Sequence, residues 1–367
     1  MALAGTLGVG NIAGVATALS LGGAGAVLFM VVAAFFAMPL KYAEVVLSKQ
    51  NAVLDARLRA HGGAMYYMKA LFRGRLGRVL AALFAVLLLL ATLTLGTTLQ
   101  VSAAAEAVEA AFSLSPLLTS GGMALLTLAV LWCGTRQVER VCAFLVPLLC
   151  LSFTVMSAVA LLAAHDRVPV ALGQIFRSAL SRQSVGAGLL GSAVSRAVRY
   201  GVLRGMVSNE AGCGTAPIAH AAATGTTPVG QGLLGILEVF VDTVLLCTLT
   251  ALVILVGGDA ALGGVGGALA AYGACLGAAA PPLLAAFLVV FAFATVLCWA
   301  HYAAHALRFL GREKGASRLL PAATLVACII GSVAAPALLW EITDVLLALM
   351  ALINISALLM LGREIAK

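Results

Sequence analysis

The amino-acid sequence predicts an all-α polytopic membrane protein: two groups of five helices in opposite orientation, with the first and sixth helices broken. Three observations carry this. The 367 residues are 63% hydrophobic and 10% charged, with mean hydropathy +1.11, whereas soluble domains carry roughly 25% charged residues. A short motif occurs twice, because Asn11, Ala13, Gly14, Thr17 and Ala18 recur 198 residues later as Asn209, Ala211, Gly212, Thr215 and Ala216. The same offset carries Glu44 onto Asp242, Val46 onto Val244 and Leu47 onto Leu245. Each half also holds an odd number of bilayer-length apolar runs, so the second half must cross in the opposite sense to the first.

The first apolar segment covers residues 2–21 and includes the motif; a glycine turn leads to the second, 27–47, with Lys41 and Glu44 toward its far end. The next loop holds Lys49, Arg57, Arg59, Lys69, Arg73, Arg75 and Arg78 against Asp55 alone, which places it in the cytoplasm by the positive-inside rule. The third segment, 80–105, runs outward to Glu106 and Glu109; the fourth, 123–133, returns to Arg136 and Arg140; the fifth is 141–164. Residues 166–182 carry Arg167, Arg177 and Arg182 on the outer side, against the rule, and read as an interfacial hairpin. The sixth segment, 185–223, contains the second motif. The seventh, 233–256, precedes a Gly/Ala loop charged only at Asp259, and the eighth, 283–310, ends among Arg308, Arg312, Lys314 and Arg318. The ninth and tenth are 319–339 and 342–361, followed by Arg363 and Lys367. The domains are therefore a first repeat at 1–164, an external segment at 165–184 and a second repeat at 185–367, with both termini cytoplasmic. The net charge of +8 sits in these short loops as a topology determinant, so no nucleic-acid partner is implied. The eight cysteines are scattered singly without a Cys-x-x-Cys pair and read as small core residues.

Glycines beside an asparagine break a helix and free backbone N–H and C=O groups, which are tolerated at membrane depth only where they line a protein cavity. Gly10 and Gly14 alone would also fit a close helix contact. Two breaks in corresponding positions point instead to the binding site of a secondary transporter. Of the acids in apolar segments, Glu44 lies three residues from Lys41 and is expected to pair with it; Glu210 is expected to accept from the freed backbone of its own break. Glu238 and Asp242, four apart, would hold a cation together or lie near the wet end of their helix. His301 and His305, four apart, with His220 as a third ligand, suggest an intramembrane metalloenzyme, although the pair lacks the intervening Glu of a zincin.

The runs Gly10-Asn11-Ile12-Ala13-Gly14-Val15-Ala16-Thr17-Ala18, Ser208-Asn209-Glu210-Ala211-Gly212-Cys213-Gly214-Thr215-Ala216-Pro217-Ile218-Ala219-His220-Ala221 and Cys247-Thr248-Leu249-Thr250-Ala251-Leu252-Val253-Ile254-Leu255-Val256 closely resemble the bacterial sodium:alanine/glycine symporters. Gly63-Ala64-Met65-Tyr66-Tyr67 and Val345-Leu346-Leu347-Ala348-Leu349-Met350 extend the resemblance over nearly the whole chain. It implies a leucine-transporter-type five-plus-five inverted repeat in a bacterial inner membrane, importing alanine or glycine with Na⁺ as coupling ion. The chain departs from the family at Leu28-Phe29-Met30-Val31, where Phe-Trp-Met-Trp is usual, at Val9, where Thr is usual, and at Ala294, where a Ser would offer a further sodium ligand.

In such a site the substrate carboxylate needs partial positive charge, which freed N–H groups at Val9 and Gly10 supply at the start of a half-helix. Asn11, Ser208 and Asn209 add polar contacts from the two motifs. Freed carbonyls around Ala4, Thr6 and Leu7 face the cation or the substrate ammonium, and by resemblance the Thr295 hydroxyl joins Ala4 and Leu7 at sodium. Gln100 and Trp299, at nearly the same repeat offset, would face the cavity as an amide partner and an apolar wall; an interhelical hydrogen bond for one and core packing for the other are the plainer alternatives. Only seven residues precede Gly8, about 10 Å of helix against about 15 Å for half a hydrocarbon core. The family usually has a longer apolar N-terminal region, so the expectation is an N-terminally truncated core, with a non-transporting remnant as the alternative.

Overall fold

The computed structural model describes residues 1–56, 58–72, 74–180, 192–258, 260–312 and 319–362. Arg57, Arg73, Arg182, Asp259, Lys314, Arg318, Arg363 and Lys367, counted above for charge, lie outside them, as does the start of the sixth expected segment.

The first segment is interrupted as its glycines require. Helix α1, Ala2–Thr6, is followed by an irregular stretch with a single 3₁₀ turn at Val9–Asn11, and α2 resumes at Ala13–Gly22. Helix α3 is continuous over Gly25–Gln50. The loop after it carries a two-residue hairpin, β1 Val53–Leu54 against β2 Ala60–His61, and a short helix α4, Ala64–Leu71, which buries Met65, Tyr67 and Met68. The third segment is one long span, α5 Gly74–Leu93 and α6 Leu99–Phe112, joined through a wide π turn at Thr94–Thr98. Helices α7, Pro116–Trp132, and α8, Thr135–Ala163, complete the first half.

Residues expected as an interfacial hairpin form a helix instead, α9, Val168–Ala179. Its Ala171, Ile175 and Ala179 recur every four residues and are buried, while Arg177 stays exposed; that spacing makes one apolar helical face. Arg167 donates to the carbonyl of Val256 at 3.2 Å, so a base on this side serves an unsatisfied helix end. The second break separates α10, Ser192–Asn209, from the six-residue α11, Pro217–Ala222. Helix α12, Pro228–Val239, passes through a π segment at Phe240–Cys247 into α13, Thr248–Gly257. The expected Gly/Ala loop contains a further helix, α14, Gly264–Leu276, burying Val265, Ala268, Leu269 and Tyr272; the Tyr272 and Ser157 hydroxyls lie 2.7 Å apart. The rest is α15, Ala280–Phe309, α16, Leu319–Val333, and α17, Pro336–Met360.

Among the described residues, six helical stretches are long and apolar enough to cross a membrane: Gly25–Gln50, Gly74–Phe112, Thr135–Ala163, Pro228–Gly257, Ala280–Phe309 and Pro336–Met360. Pro116–Trp132 and Leu319–Val333 are apolar but have 17 and 15 residues, short of the roughly 20 that a straight span needs. Phe36, Leu125, Phe144, Leu162, Val333 and Leu352 are exposed, an outer surface suited to lipid. Polar side chains instead collect inside, where α3 packs against α10 and α12, and α15 against α6. The protein is a polytopic helical membrane protein whose buried acids Glu44, Glu210 and Asp242 gather at the two breaks.

Candidate functional site

At the first break the backbone runs extended at Gly8, φ −148° and ψ −152°. A Cβ there would stand 2.7 Å from Gln100 Oε1 and 2.8 Å from Thr295 Oγ1, closer than real side-chain contacts, so only glycine lets α6 and α15 grip the chain. The freed groups are then satisfied one by one, as a dry interior demands. The Val9 N–H donates to Gln100 Oε1 at 3.0 Å and the Gly8 N–H to Asn11 Oδ1 at 3.1 Å. Thr295 Oγ1 donates to the carbonyl of Leu7 at 3.1 Å while also reaching Phe291 on its own helix. Thr6 bonds only to the carbonyl of Leu3, and Ala4 is buried one turn before the break. For Gly10 N–H, no acceptor is found among the described residues.

Asn11 ties this break to the second half. Its Nδ2 lies 2.7 Å from Asp242 Oδ1, 3.2 Å from the Asp242 carbonyl, 3.1 Å from Ser208 Oγ and 3.4 Å from Cys247 Sγ. Ser208 and Thr243 both donate to Asp242 Oδ2, at 2.7 and 2.8 Å.

The second break is built by glycines in the left-handed region, Gly212 at φ 80° and Gly214 at φ 74°, with Glu210 at φ 53° before them. Asn209 caps the end of α10, accepting from Ala211 N at 3.0 Å and donating to Thr243 Oγ1 at 3.1 Å. The acid that serves this break is Glu44, which accepts from Gly212 N at 3.4 Å, Gly214 N at 3.0 Å and Asn354 Nδ2 at 2.8 Å. Two expectations are corrected here. Lys41 pairs with Glu238 at 3.2 Å rather than with Glu44, since Glu44 is turned toward the N–H groups that the second break frees at Gly212 and Gly214. Glu210 accepts from Thr215 Oγ1 at 2.6 Å and Trp299 Nε1 at 3.1 Å, because its left-handed backbone swings the carboxylate out of its own turn. Gln100 therefore serves the first break and Trp299 the second.

Glu238 and Asp242 have separate partners. Glu238 is engaged by Lys41 and by His220 at 2.8 Å, and Asp242 by the first break. His220 is held between Gln231 and Glu238, whereas the rings of His301 and His305 lie against each other, tilted by 43° with centroids 4.5 Å apart. The three histidines do not converge as metal ligands, so the metalloenzyme reading loses the arrangement that suggested it.

On the α2 side of the breaks lies a cavity of about 560 Å³. Ala13 and Thr17 line it beside Arg204, Trp340 and Asp344. Arg204 grips Asp344 with two bonds, 3.0 and 2.9 Å, and its guanidinium lies 4.1 Å from the centre of the Trp340 ring. On the other side, Lys49 donates to the carbonyls of Ala221 and Ala223 and so ties the end of α11 to the last turn of α3.

Glu44 and Asp242, acids the sequence pairs only by their common offset, prove to be the residues that clasp the breaks, each the break of the opposite half. That offset was the one available signal, and it named the residues without naming their partners.

Two unwound segments meeting in a dry polar centre, inside a shell of lipid-facing helices, define the class of polytopic membrane transporters. The sequence profile of the sodium:alanine symporter family matches residues 1–367, and the chain belongs to that family, a family of sodium-coupled amino-acid symporters. It is similar to the sodium/alanine symporter AgcS of Methanococcus maripaludis, 37% identical over 98% of this chain and 80% of the relative. It is also similar to an uncharacterized transporter of Haemophilus influenzae, 35% identical over 99% and 80%, and to the amino-acid carrier protein AlsT of Bacillus subtilis, 30% identical over 97% and 75%.

Proposed function

We propose that this protein imports alanine or glycine together with Na⁺ across the bacterial inner membrane, by alternating access around the first helix break. The observation that carries this reading is the chain at residues 7–11, bare of side-chain bulk at Gly8 and Gly10 and walled by Gln100 and Thr295. The substrate carboxylate takes the N–H of Gly10 and shares that of Val9 with Gln100, which keeps the break in place, in a field made positive by the start of α2. Asn11, Ser208, Asn209 and Thr6 bound the polar part of the pocket. Trp299 limits it to small side chains from the second break. Sodium sits at the carbonyls of Ala4 and Leu7 and the hydroxyl of Thr295; the last two already meet at 3.1 Å.

The architecture we infer is a leucine-transporter-type inverted repeat of five plus five helices, with repeats at 1–164 and 185–367, the 165–184 segment outside and both termini cytoplasmic. Its support is the exchange of acids: Glu44 of the first half at the second break, Asp242 of the second half at the first. In this frame the cavity beside Ala13 faces outward, and the Arg204–Asp344 pair with Trp340 closes over the site. The test is counterflow of labelled alanine in proteoliposomes with and without a Na⁺ gradient. Sodium-stimulated uptake of alanine, competed by glycine, is expected; uptake indifferent to sodium would overturn the reading.

A further inference from the structure

We propose that the outer half of α10 and the facing side of α17 form a binding site for an anionic phospholipid, with Arg196 and Arg199 taking its phosphate and the groove between the two helices taking an acyl chain. The depth given to these residues rests on the reading of the second break as lying at the bilayer midplane.

The observation behind it is a pair of bases with no acid to meet. Helix α10 carries Arg196, Arg199 and Arg204, and their distances from the break sort them. Arg204 stands five residues before Asn209, about 7.5 Å along a helix, and at that depth it is buried and held by Asp344 with two bonds. Arg199 and Arg196 stand ten and thirteen residues before Asn209, about 15 and 20 Å, where half a hydrocarbon core of about 15 Å gives way to headgroups. Both are exposed, and among the described residues no acid forms an ion pair with either. Arg199 has the Tyr200 ring 5.6 Å from its guanidinium, while Asp344, the acid of the groove, is already gripped by Arg204. Glu341, exposed one turn earlier on α17, lines the outer cavity and not the groove. Three residues apart, Arg196 and Arg199 share one face of the helix.

Below these bases the surface turns apolar. The groove between α10 and α17 is floored by Val198, Val202, Val345 and Ala348, with Arg199 toward its outer end and Asp344 in its wall. Val198, Val202 and Val345 are 37%, 40% and 60% exposed, and α17 is one of the apolar spans, so the groove opens sideways onto lipid. That chemistry selects the occupant. A guanidinium takes phosphate oxygens through paired N–H donors, its stem lies along apolar surface, and an acyl chain covers the valines, which a soluble anion would leave bare. The two bases also stand, with Arg177, on the side that the positive-inside rule leaves poor in them; an anionic headgroup gives them a partner there. Arg199 and Asp344 line both the groove and the outer cavity, so a lipid seated here spans the two helices that carry the Arg204–Asp344 pair.

The experiment is native mass spectrometry of the detergent-purified full chain, offered equal amounts of phosphatidylglycerol and phosphatidylcholine with the same acyl chains. Retention of one phosphatidylglycerol in preference to phosphatidylcholine is expected. Arg199→Gln is expected to weaken that binding about five-fold and the double variant with Arg196→Gln about twenty-five-fold, whereas Arg177→Gln on α9 leaves it unchanged. Val202→Trp, which fills the groove and keeps the charges, is expected to weaken it as well; full binding there would remove the groove from the site. Glycerol phosphate in large excess is expected not to displace the lipid, and displacement would overturn the assignment in favour of a soluble phosphate. Equal retention of the two lipids would overturn the proposal, as would a preference that survives the loss of both arginines. If a variant fails to purify, the wild-type comparison of the two lipids decides alone. Binding is read from the mass of the complex and not from uptake, so its failure leaves the transport reading intact, and a failure of alanine transport leaves the lipid site standing.

Discussion

Gln100 and Asn209 each give an amide to a dry helix break, and the consequences of removing them differ from those of an ordinary surface amide. Gln100→Ala takes the acceptor from the Val9 N–H, and Asn209→Ala strips both the cap of Ala211 N and the bond to Thr243. A buried donor left unmade costs about 1 to 3 kcal/mol, so alanine affinity is expected to fall by about one to two decades in either variant. Calorimetric titration of the purified proteins measures this, and wild-type affinity in both would make the two amides packing residues alone. Partner choice at this scale is where sequence reasoning fell short. Lys41 stands one helical turn from Glu44 and pairs instead across to Glu238, because the N–H groups of Gly212 and Gly214 compete for Glu44 and no local spacing reveals them. Asn11 and Gln100 stood out as amides in apolar runs and Thr295 through the family resemblance, and all three bond at the first break.

The breaks are the elements on which transport would depend, and Gly8 offers the sharpest probe of one. Its alanine variant puts a methyl carbon 2.7 and 2.8 Å from the two side-chain oxygens that hold the break, so Gln100 and Thr295 must move off their bonds to the Val9 N–H and the Leu7 carbonyl. The expected result is a protein that still purifies as a monodisperse species yet loses sodium-stimulated alanine uptake by at least about ten-fold; full uptake would show that the grip of Gln100 and Thr295 is not part of the site. The contact of Arg204 with Asp344 and Trp340 makes a second element-scale prediction. Arg204→Ala leaves one carboxylate half-buried and unpaired, whereas the exchanged pair Arg204→Asp with Asp344→Arg keeps the bridge without the wild-type stacking on Trp340. Uptake is expected to fall strongly in the single variant and to recover in part in the double one, as a double-mutant cycle records; equal loss in both would assign the pair to folding rather than to closure. Element boundaries followed the glycines and charges of the sequence closely for the long spans. They failed at α9, where arginines and turn-forming residues hid the apolar face of Ala171, Ile175 and Ala179, and at α14, whose buried Val265, Gly267, Ala268, Leu269, Ala271 and Tyr272 lie in a run of glycine and alanine that reads as a loop.

At the scale of the whole molecule, the assignment of sides rests on charge, and the idea of two opposed halves on the repeated motif and the odd number of spans in each half. The described part of the loop after α3 supports a single orientation with more than a count of bases. Lys49 reaches the carbonyls of Ala221 and Ala223, Ser48 bridges Gly63 N and the Pro217 carbonyl, and Arg308 meets Asp55 and His61. The hairpin of residues 53–61, the end of α11 and the end of α15 therefore lie on one face, whichever side of the membrane it occupies. If the basic residues around them obey the positive-inside rule, that face is cytoplasmic and the Arg204–Asp344 cavity is on the opposite, external side. Ala56 is exposed in the hairpin, whereas Ala60 is half-buried in its strand, so Ala56 is the better reporter. In a background with the eight native cysteines replaced, Ala56→Cys in intact cells is expected to resist a membrane-impermeant maleimide and to react once the membrane is opened. An external control at Leu117, exposed at the start of α7, is expected to react in both conditions. Labelling of Ala56→Cys from outside would invert the whole arrangement, placing the α11 end and its Lys49 clamp at the cell exterior and the ion-pair cavity toward the cytoplasm, and the import direction proposed for alanine would have to be reversed with it.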